Sequence, residues 1–288
     1  MDVLTAASLA RAFGELEQAV ERRHADLDVR LEIGGSQQLC RKLVELGGKA
    51  DVLAVADYRV IDTICRPRQA EFNIRFATNS IALAHLEHSR HTGEITARSW
   101  HEVLLRPGVR LGLVDPDAAP IGYRTLLVWE LAARELGQPD LPGKLRAHVA
   151  REHVAPHEGE LLQLLQSRAI DYAFVYRSTA EEHNLKVVEL PASYNLGSAD
   201  RAEAYARASV PARMKRGQKP RRIVGAPVTY GLTIPLEPPN PGGAETVVAE
   251  LLGPAGRRIL RQTGFAPLEP ARCAERPKLP AKIRPLVR

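Results

Sequence analysis

The sequence predicts an α/β protein built as two lobes, each a mostly parallel sheet flanked by helices, and three observations carry that prediction. Short apolar strands alternate with amphipathic helices along most of the 288 residues, the pattern of βαβ units. Several of those strands are apolar on both faces, as a sheet covered by helices on each side requires. Two extended stretches, around residues 72–84 and 223–234, interrupt the alternation. They read as two hinge crossings between a discontinuous first lobe (residues 1–80 and 226–268) and a continuous second lobe (81–225). Such a layout places a ligand between the two halves.

The elements follow in order. Val3 to Ala6 is a short strand, and a helix runs from Ser8 to about Arg23. Leu27, Val29, Leu31 and Ile33 alternate on one face of the next strand, and a helix covers Ser36 to Leu46. Ala50-Asp-Val-Leu-Ala-Val-Ala is a strand suited to burial on both faces. Asn73-Ile-Arg-Phe-Ala and Ser80-Ile-Ala-Leu-Ala form the first crossing. Helix Trp100–Leu105, strand Arg110–Val114, a long helix from Gly122 to Leu136 and an amphipathic helix opening at Pro156 lead to a second buried strand, Ile170–Tyr176. After the extended stretch Ile223–Ile234 come helix Gly243–Leu252, the stop Gly253-Pro254 and helix Ala255–Gln262. The tail 269–288, with Pro270, Pro277, Pro280 and Pro285, reads as irregular or disordered.

Composition excludes several classes. No run approaches the ~20 apolar residues of a membrane span. The net charge is +6, but the one dense basic run is residues 213–222, which reads as a solvated loop. Few aromatics surround it to stack on bases, so no nucleic-acid partner is expected. Cys40, Cys65 and Cys273 lack metal spacing, and Cys40 reads as a small buried hydrophobe. His85, His88 and His91 recur every third residue, which on a helix would place them roughly along one face, but the segment lies near the first crossing and is polar, so a solvated face rather than a metal site is expected. There is no G-x-S-x-G, Walker loop, G-x-G-x-x-G or H-E-x-x-H, and no nucleophile with its base, so no enzyme is expected.

What remains are places where a strand end runs into a helix. Ala6-Ala-Ser8, Gly34-Gly-Ser36 and Pro120-Ile121-Gly122 share that form, and Tyr176 ends a buried strand. Each has an ordinary explanation: a serine there caps a helix, and a proline opens one. Together they place unpaired N–H groups and the positive ends of helix dipoles where α/β folds bind ligands, a setting for an anion.

The residues also resemble a family. Ala6-Ala-Ser-Leu-Ala-Arg-Ala-Phe, Gly35-Ser36 with Cys40-Arg41-Lys42, Lys49-Ala-Asp-Val-Leu-Ala-Val-Ala-Asp-Tyr, Trp100-His-Glu-Val-Leu-Leu-Arg-Pro-Gly-Val, Gly122-Tyr-Arg-Thr-Leu, Ile170-Asp-Tyr-Ala-Phe-Val-Tyr-Arg-Ser and Val228-Thr-Tyr-Gly-Leu-Thr-Ile-Pro occur in the family's order over residues 3 to about 268. They are similar to motifs of the periplasmic molybdate/tungstate-binding proteins of ABC importers, in the archaeal-type branch. That resemblance implies the two-lobed periplasmic-binding-protein fold and capture of a tetrahedral oxyanion for delivery to an ABC permease. It implies a monomer on the periplasmic or extracytoplasmic side, with no cofactor beyond the molybdate or tungstate ligand. Carried over by position, Ser8 and Ser36 are the donors of the first lobe; the backbone N–H groups of Ile121 and Glu158 and the hydroxyl of Tyr176 are those of the second.

One departure stands out. The branch adds two carboxylates that complete a six-oxygen shell, where this chain has Ala119 before Pro120 and Ala192-Ser193 after Pro191. A carboxylate facing an oxyanion repels it unless it bonds the metal centre, so their replacement favours a plain tetrahedral ligand and admits another oxyanion such as sulfate. The chain opens directly on a strand, Met1-Asp-Val-Leu-Thr, with no export signal read in it; an intracellular ligand sensor is therefore the alternative from another class.

Overall fold

The computed structural model describes residues 1–45, 47–213 and 219–288, so Leu46 and the centre of the basic run 213–222 lie outside the described residues. Two compact units form, one from Met1–Thr78 with Thr229–Arg288 and the other from Asn79–Val228. In chain order the strands are β1 (Asp2–Ala6), β2 (Arg30–Gly34), β3 (Val52–Val55), β4 (Ile74–Asn79), β5 (Ile81–His85), β6 (Leu111–Val114), β7 (Val154–Ala155), β8 (Tyr172–Tyr176), β9 (Lys186–Val188), β10 (Ser209–Ala212), β11 (Arg221–Val224), β12 (Val228–Thr233) and β13 (Ala266–Arg272).

The first unit holds a six-stranded sheet in the order β13-β4-β12-β3-β1-β2. Strands β2, β1 and β3 run parallel, with Val3 opposite Leu31 and Val52. Strand β12 lies antiparallel on β3, and β13 antiparallel on β4. The second unit has a five-stranded sheet, β7-β6-β8-β5-β9, in which β7, β6 and β8 are parallel, β5 lies antiparallel on β8 and β9 antiparallel on β5. The α/β class therefore holds, with three neighbouring strands parallel in each sheet. Three of those strands, β3, β6 and β8, are apolar runs buried along their whole length.

Helices flank both sheets because their apolar residues recur on one face. In the helix Ala10–Arg23 the buried residues are Ala12, Phe13, Leu16 and Val20. In the helix Pro120–Leu136 nearly the whole circumference is covered. Trp100 and Trp129 both meet Phe174 edge-on, at 5.5 and 5.9 Å between centroids. Tyr230 is held edge-on between Phe76 and Phe265.

Three sequence expectations need correction. Ile33 does not face the core: β2 is an edge strand and Ile33 is 49% exposed. The segment carrying His85, His88 and His91 is not helical; His85 ends β5 against the Tyr172 ring, and the other two lie in turns. The tail is ordered. Pro267 and Pro270 sit in β13, an edge strand with a register shift, where a missing N–H leaves no ladder bond unmade. Ala271 of that strand bridges Val287, and beyond it Leu279, Ile283 and Val287 are buried. Among the described residues no helix is long and apolar enough to cross a membrane.

Candidate functional site

In the first unit the parallel strands all deliver polar groups at their carboxyl ends. Strand β1 runs into a 3-10 turn, Ala7–Leu9, before its helix starts. Ser8 lies in that turn and makes no side-chain cap, so capping does not account for it. Its buried Oγ instead accepts from the Tyr230 hydroxyl at 3.2 Å. Strand β2 leads into the helix Ser36–Glu45, and the buried Ser36 Oγ accepts from the Ala56 N–H at 3.1 Å, just beyond β3. A hydroxyl that accepts one bond from the protein keeps its own proton to donate. Asp57, next along, takes the Arg59 N–H at 3.0 Å and the Arg59 guanidinium at 2.7 Å. The carboxylate at this strand end is thus neutralised.

In the second unit the first such place is the start of the helix Pro120–Leu136. Ala119 is the N-cap in extended backbone and Pro120 the first helical residue. Proline has no N–H, and the Gly122 N–H is taken by the Ala119 carbonyl at 3.0 Å, so the first backbone donor there is Ile121. Glycine at 122 is a packing requirement: a Cβ would lie 2.4 Å from the Val114 carbonyl and 2.7 Å from Pro116. The helix start is thereby pressed onto the end of β6.

Tyr176 ends β8 with its ring buried, as the sequence suggested, and its hydroxyl accepts from Arg124 Nη1 at 2.7 Å. The Arg124 guanidinium lies 5.6 Å from the ring centroid and is itself buried. Glu158 opens the helix Glu158–Gln166, with His157 as N-cap. Its side chain turns inward: Oε1 accepts from the Tyr176 N–H at 2.8 Å and Oε2 from the Thr179 hydroxyl at 3.0 Å. Burial pushes this carboxyl up to about 8, against the pull of those two bonds. The short helix Arg177–Glu182 has its opening N–H groups taken by protein: Arg177 donates to the Ser80 carbonyl and Ser178 to Asn79 Oδ1.

Of the five expected site residues, Ser8 and Ser36 thus gather at one sheet edge of the first unit, and Ile121, Glu158 and Tyr176 mark strand-to-helix turns of the second. Sequence reading missed Tyr230, Arg124 and the Glu158 carboxyl. Tyr230 and Arg124 stand inside motifs already singled out, Val228-Thr-Tyr-Gly and Gly122-Tyr-Arg-Thr. Ala119 is buried at its helix start, Asp117 is paired with Arg213, and Glu189 is paired with Arg177. Among the described residues no three His, Cys, Asp or Glu side chains are grouped to hold a metal ion.

The profile of the bacterial extracellular solute-binding proteins matches residues 1–266. The chain belongs to that family. Among its relatives, an uncharacterized solute-binding protein of Petrotoga mobilis is 37% identical over 282 residues, covering 98% of this chain and 88% of its own. The molybdate/tungstate-binding protein WtpA of Pyrococcus abyssi is 32% identical over 286 residues, covering 90% and 82%. The periplasmic molybdate-binding protein of Azotobacter vinelandii superposes with a TM-score of 0.64 over 92% of this chain and 98% of that one, at 18% identity. That last likeness speaks for the fold of the solute-binding protein, whose two α/β units it shares.

Proposed function

We propose that this solute-binding protein captures molybdate or tungstate as a tetrahedral dianion and presents it to the permease of an ABC importer. The reading is carried by one observation: the buried serines at strand ends, Ser8 and Ser36, each accept a hydrogen bond from the protein and so keep a proton for an anion. They occur in a chain 32% identical to a molybdate/tungstate-binding protein. The Ile121 and Glu158 N–H groups and the Tyr176 hydroxyl complete the proposed donor set. The serines and the two backbone N–H groups are neutral, and backbone donors at helix starts add the positive end of the dipole. Binding then exchanges water for fixed donors that gain strength away from solvent, and no bond to the ion is made or broken. Without the two carboxylates the ion keeps its four oxygens and no protein oxygen joins the metal centre.

The test is calorimetric titration with molybdate, tungstate and sulfate side by side. Tight binding of the first two with sulfate weaker by tenfold or more, about 1.4 kcal/mol, is the expected result. Equal sulfate binding turns the same scaffold over to another oxyanion, and no binding by any of the three removes the reading.

A further inference from the structure

Two of the donors proposed for the second unit, the Glu158 N–H and the Tyr176 hydroxyl, sit on separate elements 18 residues apart. One side chain ties those elements together. The Glu158 carboxyl leaves its own helix start and takes both the N–H of Tyr176, at 2.8 Å, and the hydroxyl of Thr179, at 3.0 Å. The residue is 2% exposed. We propose that the Glu158 side chain is a positioning residue for ligand binding, a brace that holds the Tyr176 strand end and the Glu158 helix start in one fixed arrangement. The inference rests on the functional reading above.

The surroundings favour a brace without charge. Both partners of the carboxyl are neutral groups. Strands β6 and β7, packed against the same helix, present only Leu111–Val114 and Val154–Ala155. The charged neighbour acting on it is Glu182 of the helix Arg177–Glu182, which repels it. On its own helix Glu160 faces away to His157, 3.2 Å from Nε2. Desolvation therefore keeps the group protonated at neutral pH, with its ordinary value raised to about 8. In the neutral acid Oε1 still accepts from the Tyr176 N–H while Oε2 carries the proton and donates it to the Thr179 oxygen, so the brace adds no negative charge beside a dianion; an ionised one would oppose the ligand.

The test compares the wild-type protein with Glu158→Gln and Glu158→Leu, by titration with sodium molybdate at pH 7 and pH 9. Molybdate is a dianion at both, so the ligand does not titrate. Glutamine offers an acceptor to Tyr176 and a donor to Thr179, and is expected to bind within about twofold of wild type at pH 7. Leucine fills the space without either bond and is expected to lose about tenfold or more. Wild-type affinity is expected to fall about tenfold between pH 7 and pH 9, and that of the glutamine variant to stay level. A leucine variant that binds like wild type, a glutamine variant as weak as leucine, or a flat wild-type profile would each overturn the brace. Should leucine fail to fold, the paired pH profiles of wild type and glutamine still decide. A wild type that binds neither molybdate nor tungstate fails the functional reading itself, whereas a binding wild type with indifferent variants fails only the brace.

Discussion

The two units use one device on opposite electrostatic terms. In the first, the Ser8 and Ser36 hydroxyls are oriented by neutral groups, the Tyr230 hydroxyl and the Ala56 N–H, and the nearby Asp57 carboxylate is matched by Arg59. In the second, the Tyr176 hydroxyl is oriented by the buried guanidinium of Arg124, beside a buried carboxyl held uncharged. On the proposed reading, neutral groups orient the serine donors of the first unit and a buried cation orients the tyrosine donor of the second. The difference teaches that the groups orienting the proposed hydroxyl donors are neutral in one unit and charged in the other, so the two can be broken separately.

Removing the cation should do most. Arg124→Met keeps length and apolar bulk but takes away the charged hydrogen bond to Tyr176. Anion affinity should fall by about 2–3 kcal/mol, read by titration, with a weaker dependence on ionic strength than wild type. A loss no larger than that of a serine variant would erase the contrast between the units. Ser36→Ala removes one proposed bond to a charged ligand and the bond from the Ala56 N–H. Its expected cost is about 1–2 kcal/mol in the same titration, and unchanged affinity would take Ser36 out of the site. Tyr230→Phe is the mildest, since the ring stays packed against Phe76 and Phe265. It should cost about 1 kcal/mol or less through a less well-oriented Ser8, with thermal unfolding almost unmoved; an effect as large as that of Ser36→Ala would mean Tyr230 meets the ligand itself.

Much of this was legible in the chain. Periodicity places β3, β6 and β8 because strands covered on both faces must be apolar throughout, and the start of the helix at Pro120 is set by local chemistry. What failed depends on position in the sheet. Ile33 alternates correctly, but an edge strand has no second layer to hide it, and the prolines of the tail look like breakers until an edge offers them a place. The missed site residues share another cause. Ser8 and Tyr230 are 222 residues apart, and Tyr230 alone reads as one more apolar residue of a strand. Arg124 lies in a helix where an arginine is expected on the surface, and only the tertiary fold puts it on Tyr176.

Pro120 at the head of its helix has a consequence for how such a protein changes over time. Because proline leaves the Ile121 N–H as the first backbone donor, that part of the proposed site belongs to no side chain. Substitutions at 121 can drift among apolar residues without touching it, and an alanine scan passes over it in silence. Only a second proline or a backbone ester at 121 would delete the donor. A lineage could therefore trade its side-chain contacts for a new ligand while the inherited backbone contact persisted unseen in the alignment.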